Sequence, residues 1–138
     1  MMRAVLDTNV LISAAINNHG KPARILSASG ERFTLVCSDY ILTEVMTVMT
    51  RRHLRKWLPD ANFRERFAAE LRDSAEVVTT ATPVRAVRDP KDNPILACAL
   101  DGKANVVVTG DGHLLELGSY RNIQIVTPAV FLEMLDSL

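Results

Sequence analysis

Short apolar runs alternate along the chain with segments whose apolar residues recur at helical spacing. Runs of the buried-strand type lie near residues 4, 35, 77, 107 and 124. Helical periodicity is clearest at residues 10–15, 41–49 and 128–135. This alternation predicts an α/β protein, a three-layer α/β/α fold around a mainly parallel central sheet of about five strands.

Turn and capping residues mark where these elements begin and end. Pro22 is placed to open a second helix that runs through Leu26, and Ser38 or Asp39 is placed to cap the helix at 41–49. Residues 82–87 alternate enough to form a further extended piece, and a helix is expected from Pro94 to Gly102. After the strand near 107, the residues that follow Gly112 are expected to form a loop.

Length and composition limit the class of protein. We expect 138 residues to form a single domain, 1–138, and 16 basic against 16 acidic residues give no overall field that would attract a polyanion. The longest nearly uncharged apolar run, 94–100, is far shorter than the roughly 18 residues of a membrane span. We expect a cytoplasmic protein with no membrane contact. The two cysteines support neither a disulfide framework nor a structural zinc site.

One segment carries a local positive excess. Residues 51–72 hold seven basic and three acidic side chains. Such a run is either a solvated surface or a surface that contacts nucleic acid. Trp57 within it could stack on a nucleobase, but beside Leu54 and Leu58 it is expected to pack in the core. The candidate nucleic-acid contacts are Arg51, Arg52, Arg55 and Lys56.

Carboxylates stand at three comparable places in the predicted fold. Asp7 follows the first strand, Asp111 follows the strand near 107, and Asp92 stands at the start of a helix. Each position also suits a helix N-cap, so capping alone would explain them singly. If the strand ends share one edge, the acids converge, and Mg²⁺ or Mn²⁺ would relieve their mutual repulsion. Such clusters serve metal-assisted phosphodiester hydrolysis. Spacing alone leaves Glu44 on the flank of a buried helical face or in solvent.

Four motifs in this order resemble the PIN-domain family, and more narrowly its small prokaryotic VapC-like ribonucleases, the toxins of toxin–antitoxin pairs. The resemblance covers nearly the whole chain. It implies a Mg²⁺- or Mn²⁺-dependent endonuclease that cleaves single-stranded RNA, is often a homodimer, and is inhibited by a small antitoxin protein. The motifs are Val5-Leu6-Asp7-Thr8-Asn9-Val10-Leu11, Glu44, residues 89–100, and Val108-Thr109-Gly110-Asp111 with Leu114-Leu115.

The resemblance also implies a role for each matching residue. Asp7, Glu44, Asp92 and Asp111 match the family's four metal-binding and catalytic acids. Asn9 matches a polar residue that hydrogen-bonds the first acid, which leaves helix capping to Thr8.

The chain departs from the family pattern after the fourth acid. Many relatives carry a further acid two residues after Asp111, and this chain has His113 there, which leaves open one metal ion or two. The departure motivates an alternative, a catalytically weak PIN domain that binds RNA or a protein. A nucleotide-binding domain of flavodoxin-like topology would need a phosphate loop, and the six glycines form none.

Overall fold

The central sheet of this computed structural model is mainly parallel. The structure describes residues 1–81, 84, 90 and 92–138. Within them the sheet has six strands in the order β3-β2-β1-β4-β6-β5, and every neighbouring pair is parallel except β5 with β6. The strands are β1 (Arg3–Leu6), β2 (Thr34–Ser38), β3 (Glu76–Val78), β4 (Val106–Val108), β5 (Ser119–Tyr120) and β6 (Ile123–Val126).

The helices connect the strands, and the first strands lead directly into them. Ser38 Oγ accepts a hydrogen bond from the backbone N–H of Ile41, so Ser38 caps α3. A 3-10 turn at Arg52–Leu54 separates α3 from α4. The helices are α1 (Thr8–Ile16), α2 (Lys21–Ser27), α3 (Asp39–Met49), α4 (Ala61–Ser74), α5 (Asn93–Asp101), α6 (Gly112–Leu117) and α7 (Pro128–Asp136).

The order of the strands reverses between β1 and β4. From β1 the chain builds outward through β2 to β3, and it then returns to place β4 on the other side of β1. Leu6 pairs with Val108 in this parallel ladder, so the two strands end at the same level. In open α/β sheets, ligands bind outside the carboxyl ends of strands at such a switch point.

Apolar side chains on both faces of the sheet form the core. All three valines of β4 are buried, as expected for a parallel strand covered on both sides. Phe33 and Phe131 meet edge to face with ring centroids 5.2 Å apart, which fixes α7 against the residues that precede β2. None of the helices in the described ranges is long and apolar enough to cross a membrane.

Most of the expected elements are confirmed, and the differences lie at the ends of the sheet. The parallel part of the sheet has the five expected strands, and the short β5 adds an antiparallel edge. The expectation of a loop after Gly112 is wrong, because Asp111 caps the short helix α6 there. The extended piece predicted at residues 82–87 lies outside the described residues, apart from residue 84.

Candidate active site

Asp7 stands where β1 passes into α1. Its backbone N–H donates to Val108 O on β4 at 2.9 Å, which extends the sheet by one residue beyond the end of β1. Its side chain is buried, with 7% of the residue's surface exposed. A carboxylate in such a place loses solvation, and a buried acid requires a partner.

Thr109 supplies that partner from the neighbouring strand. Its hydroxyl donates to Asp7 Oδ2 at 2.6 Å and accepts from the backbone N–H of Asp111 at 3.0 Å. Thr109 has no exposed surface. The threonine hydroxyl therefore connects the first acid to the backbone of the fourth, although 102 positions separate Thr109 from Asp7 along the chain.

Asp111 follows at the start of α6. Its Oδ1 accepts hydrogen bonds from the backbone N–H groups of His113 at 2.7 Å and Leu114 at 3.3 Å. The side chain therefore caps the helix with one oxygen. We call Asp7, Thr109 and Asp111 the acidic edge.

The pKa of the Asp7 carboxyl is raised above its ordinary value. Burial is the main cause, and the nearby negative charge of Asp111 adds to it. The Thr109 hydroxyl and the backbone N–H groups of Asn9 and Thr8 oppose the rise. The Asp7 side chain makes no cap hydrogen bond within α1. Asp7 and Asp111 are thus close enough for their charges to interact.

The other two candidate acids lie on neighbouring helices. Asp92 is buried at the N-cap position of α5, which confirms its predicted place at the start of that helix. Helix α5 packs against β1, β2 and β4. Glu44 is half-buried on α3, which packs against both α1 and α5. Among the described residues, the structure brings Asp7 and Asp111 near each other, and neither Asp92 nor Glu44 joins them in a group of three acids that could hold a metal.

The two supporting residues differ from their expected roles. The hydrogen bond to the first acid that the resemblance gives to Asn9 is made by Thr109, and the Asn9 side chain is exposed. The expectation that Thr8 caps α1 is wrong, because Asp7 occupies the N-cap position and Thr8 is the first helical residue. Thr8 Oγ1 is buried without a hydrogen-bond partner among the described residues.

Sequence reasoning missed Thr109 as a site residue, although a signal for it was present. Its place directly after a buried strand is the same as that of Asp7. Only the pairing of Leu6 with Val108 shows that the two positions are neighbours. A strand-end threonine becomes informative once the partner strand is known.

The donor chemistry of the acidic edge suits a hard divalent cation. Mg²⁺ is commonly held by one or two carboxylates together with several waters. Asp7 and Asp111 supply two carboxylates whose repulsion a cation would relieve. Over the described residues, no three side chains of the His, Cys, Asp and Glu types are grouped closely enough to hold a metal. The donors present therefore fit a cation that retains most of its water.

The positive segment lies on the surface. Arg51, Arg52, Arg55 and Lys56 are all exposed, and none makes an ion pair with an acid in the described part of the chain. We call residues 51–66 the basic segment. The prediction that Trp57 packs in the core is wrong, because 57% of its surface is exposed. Leu58 takes the inward position of this turn and is buried.

Comparison with known proteins identifies the class of protein that this fold and site define. A family model described as a PIN domain matches residues 3–113. The chain therefore belongs to the PIN domain family.

The chain is also similar to an individual relative in sequence and to solved structures in fold. The chain is 29% identical to Uncharacterized protein MJ1680 of Methanocaldococcus jannaschii, over 96% of this chain and 90% of that protein. It is similar in fold to VapBC2 from Rickettsia felis bound to a DNA fragment from their promoter, with a TM-score of 0.62, 14% identity, and coverage of 91% of this chain and 98% of that chain. It is also similar in fold to VapBC-1 from nontypeable Haemophilus influenzae, with a TM-score of 0.61 and 18% identity. That match covers 93% of this chain and 99% of that chain.

Proposed function

We propose that this protein is a metal-dependent endoribonuclease that cleaves single-stranded RNA and serves as the toxin of a toxin–antitoxin pair. Membership of the PIN domain family supports a nuclease. The observation that carries the proposal lies at the switch point of the sheet, where the Thr109 hydroxyl links the Asp7 carboxylate to the backbone N–H of a second acid, Asp111.

A bound Mg²⁺ or Mn²⁺ would supply positive charge to the phosphate and lower the pKa of a water nucleophile. Asp7 and Asp111 would hold it, and the family resemblance assigns Asp92 and Glu44 to the same site. Thr109 orients the Asp7 carboxylate and stabilises its ionised form. Burial of Asp7 strengthens its interaction with a cation, because the local dielectric constant is low.

The proposed partners follow from the same comparisons. The structural neighbours include VapBC structures, and the resemblance to VapC-like ribonucleases implies inhibition by a small antitoxin. We therefore assign this chain an antitoxin partner and, from the same resemblance, a homodimeric state. The exposed cations of the basic segment suit an RNA backbone.

A second candidate function is a PIN domain that binds RNA or protein without cutting it. His113, in place of a further acid, is exposed and favours this alternative. Calorimetric titration with Mn²⁺ separates the two functions. Ion binding in the micromolar to millimolar range supports the nuclease, and no binding supports the binding module.

The direct test is cleavage of single-stranded RNA by the wild type and by Asp7→Asn with Mg²⁺ or Mn²⁺. We expect the variant to lose activity by about a hundredfold or more, because it loses a metal ligand without losing the acceptor for Thr109. Asp111→Asn should also lose activity while its amide oxygen still caps α6.

Asp136→Asn is the matched control, because Asp136 is an exposed acid at the end of α7. It should cleave as the wild type does. Equal cleavage by wild type and Asp7→Asn contradicts the assignment of the site.

A further inference from the structure

Trp57 is the protein's single tryptophan and, in the part of the chain that the structure describes, one of a few large apolar side chains in solvent. Of the surface of Trp57, 57% is exposed, and Lys56 Nζ lies 5.2 Å from the ring centroid. A large aromatic ring left in water loses burial energy that a core position would provide. Its exposure within a run of cations is the feature that the catalytic site does not explain.

The turn that carries Trp57 is held in one conformation. The backbone N–H groups of Trp57 and Leu58 both donate to Leu54 O, at 3.0 and 2.9 Å. Arg64 on α4 donates to Leu58 O at 2.6 Å, and the Leu58 side chain is buried. The indole is therefore presented by an anchored turn, so a ligand that stacks on it pays little to order the backbone.

A cleft of about 280 Å³ opens beside the indole. Trp57, Phe63 and Ala15 supply apolar walls, and the exposed Arg66 supplies a cation at its border. Asp60 also lines the cleft, but its Oδ1 accepts from the backbone N–H of Asn62 and caps α4. The cleft thus combines a flat aromatic wall with positive charge.

The excess of positive charge around the cleft favours a ligand that carries negative charge. The basic segment holds six arginine and lysine residues against two acids. Stacking on an aromatic ring and attraction of a phosphate backbone are together the way in which proteins bind single-stranded nucleic acid. An apolar peptide side chain would use the ring and gain nothing from the surrounding cations.

We propose that the Trp57 cleft is a nucleobase-binding subsite, which holds a base of single-stranded RNA while the cations of the basic segment contact the adjoining phosphates. This inference rests on the proposed function, since it concerns the same substrate. Ala15 in the cleft and Asp7 at the acidic edge are joined by α1. Eight residues of helix place them about 12 Å apart along the helix axis. A single strand of RNA can therefore reach both the cleft and the acidic edge.

The test measures binding with cleavage switched off. Single-stranded RNA is titrated into the full-length protein in EDTA, and the fluorescence of Trp57 reports on the cleft directly. We expect RNA to change the indole emission, and an abasic oligomer of equal length to bind more weakly and change it less. Trp57→Ala should weaken RNA binding about tenfold or more, and Trp57→Phe should retain most of the affinity.

Val130→Ala is the matched control, because Val130 is an exposed apolar residue on α7 and its truncation should leave RNA affinity unchanged. Unchanged emission at saturating RNA, no RNA binding by the wild type, or equal affinity of Trp57→Ala overturns the inference. An apolar side chain of a protein partner would then be the better occupant.

The same measurements separate this inference from the nuclease proposal. If RNA binds through Trp57 and is never cut with Mg²⁺ or Mn²⁺, the nuclease proposal fails and the subsite stands. If RNA is cut and Trp57→Ala binds and cuts as the wild type does, the subsite fails and the nuclease proposal stands.

Discussion

The acidic edge and the basic segment carry opposite charges and are built in opposite ways. At the acidic edge, Asp7 and Thr109 are buried side chains that directly follow two adjacent strands, and a 2.6 Å hydrogen bond joins them. In the basic segment, every charged side chain except Arg64 is exposed, and backbone hydrogen bonds hold one short turn in place.

This difference in burial and order follows from the kind of ligand that each region is proposed to bind. A few buried carboxylates must hold one geometry, because a metal ion depends on the positions of its ligands. A polyanion is attracted by the sum of several exposed charges, none of which requires a fixed position. We therefore expect single substitutions to have large effects at the acidic edge, and single substitutions of the basic segment's cations to have small, additive effects.

Among these tests of the two regions, the largest effect is expected from Thr109→Val at the acidic edge. This substitution keeps the shape of the side chain and removes the bridging hydroxyl. Asp7 loses its donor, so the free energy of unfolding should fall by roughly 2 kcal/mol. RNA cleavage should fall about tenfold or more, as for other groups that orient a metal ligand. Urea denaturation and cleavage rates measure the two effects. Thr109→Ser retains the hydroxyl and should stay near the wild type, and equal loss in both variants would contradict the bridging role.

The pH dependence of the free energy of unfolding tests whether the buried carboxylate of Asp7 behaves differently from an exposed one. Because the folded pKa of Asp7 exceeds its ordinary value of 3.8, the folded state binds more protons than the unfolded state between the two pKa values. Stability from this group therefore rises as the pH falls through the raised pKa. In EDTA, Asp7→Asn should be more stable than the wild type at neutral pH, and the gain should shrink toward pH 3.8.

The control for this titration is Asp136→Asn, whose carboxyl is exposed. Its stability should follow the wild type across the pH range. An Asp7→Asn variant that is less stable than the wild type at neutral pH would show that burial of the charge is not the dominant effect.

The smallest effect is expected from Arg52→Gln combined with Arg55→Gln. The slope of log binding constant against log salt for single strands is about −0.7 per phosphate contact. Loss of two contacts should make it shallower by about 1.4, with the protein equally stable. Lys21→Gln with Arg24→Gln removes two charges from α2 instead and should leave the slope unchanged. Equal slopes for both double variants would remove the basic segment from the RNA contact surface.

Local periodicity predicted most of the elements, because it depends on neighbours within a few residues. Ser38 before α3 and Asp92 before α5 were both recognisable as cap positions, and the structure has them there. Trp57 was misplaced because Leu54, Trp57 and Leu58 all appear suitable for burial in the sequence. The choice of Leu58 depends on how the turn meets α4.

By itself, the sequence determined that Asp7 and Asp111 follow buried strands and that a positive run lies between residues 51 and 66. Only the tertiary structure decided that β4 lies beside β1, which brings Thr109 to Asp7 across 102 positions and leaves the Trp57 indole in solvent. The physical reason is that strand pairing, and the choice of which apolar side chain is buried, depend on packing between segments that are distant in the sequence. A short stretch of sequence carries no information about those contacts.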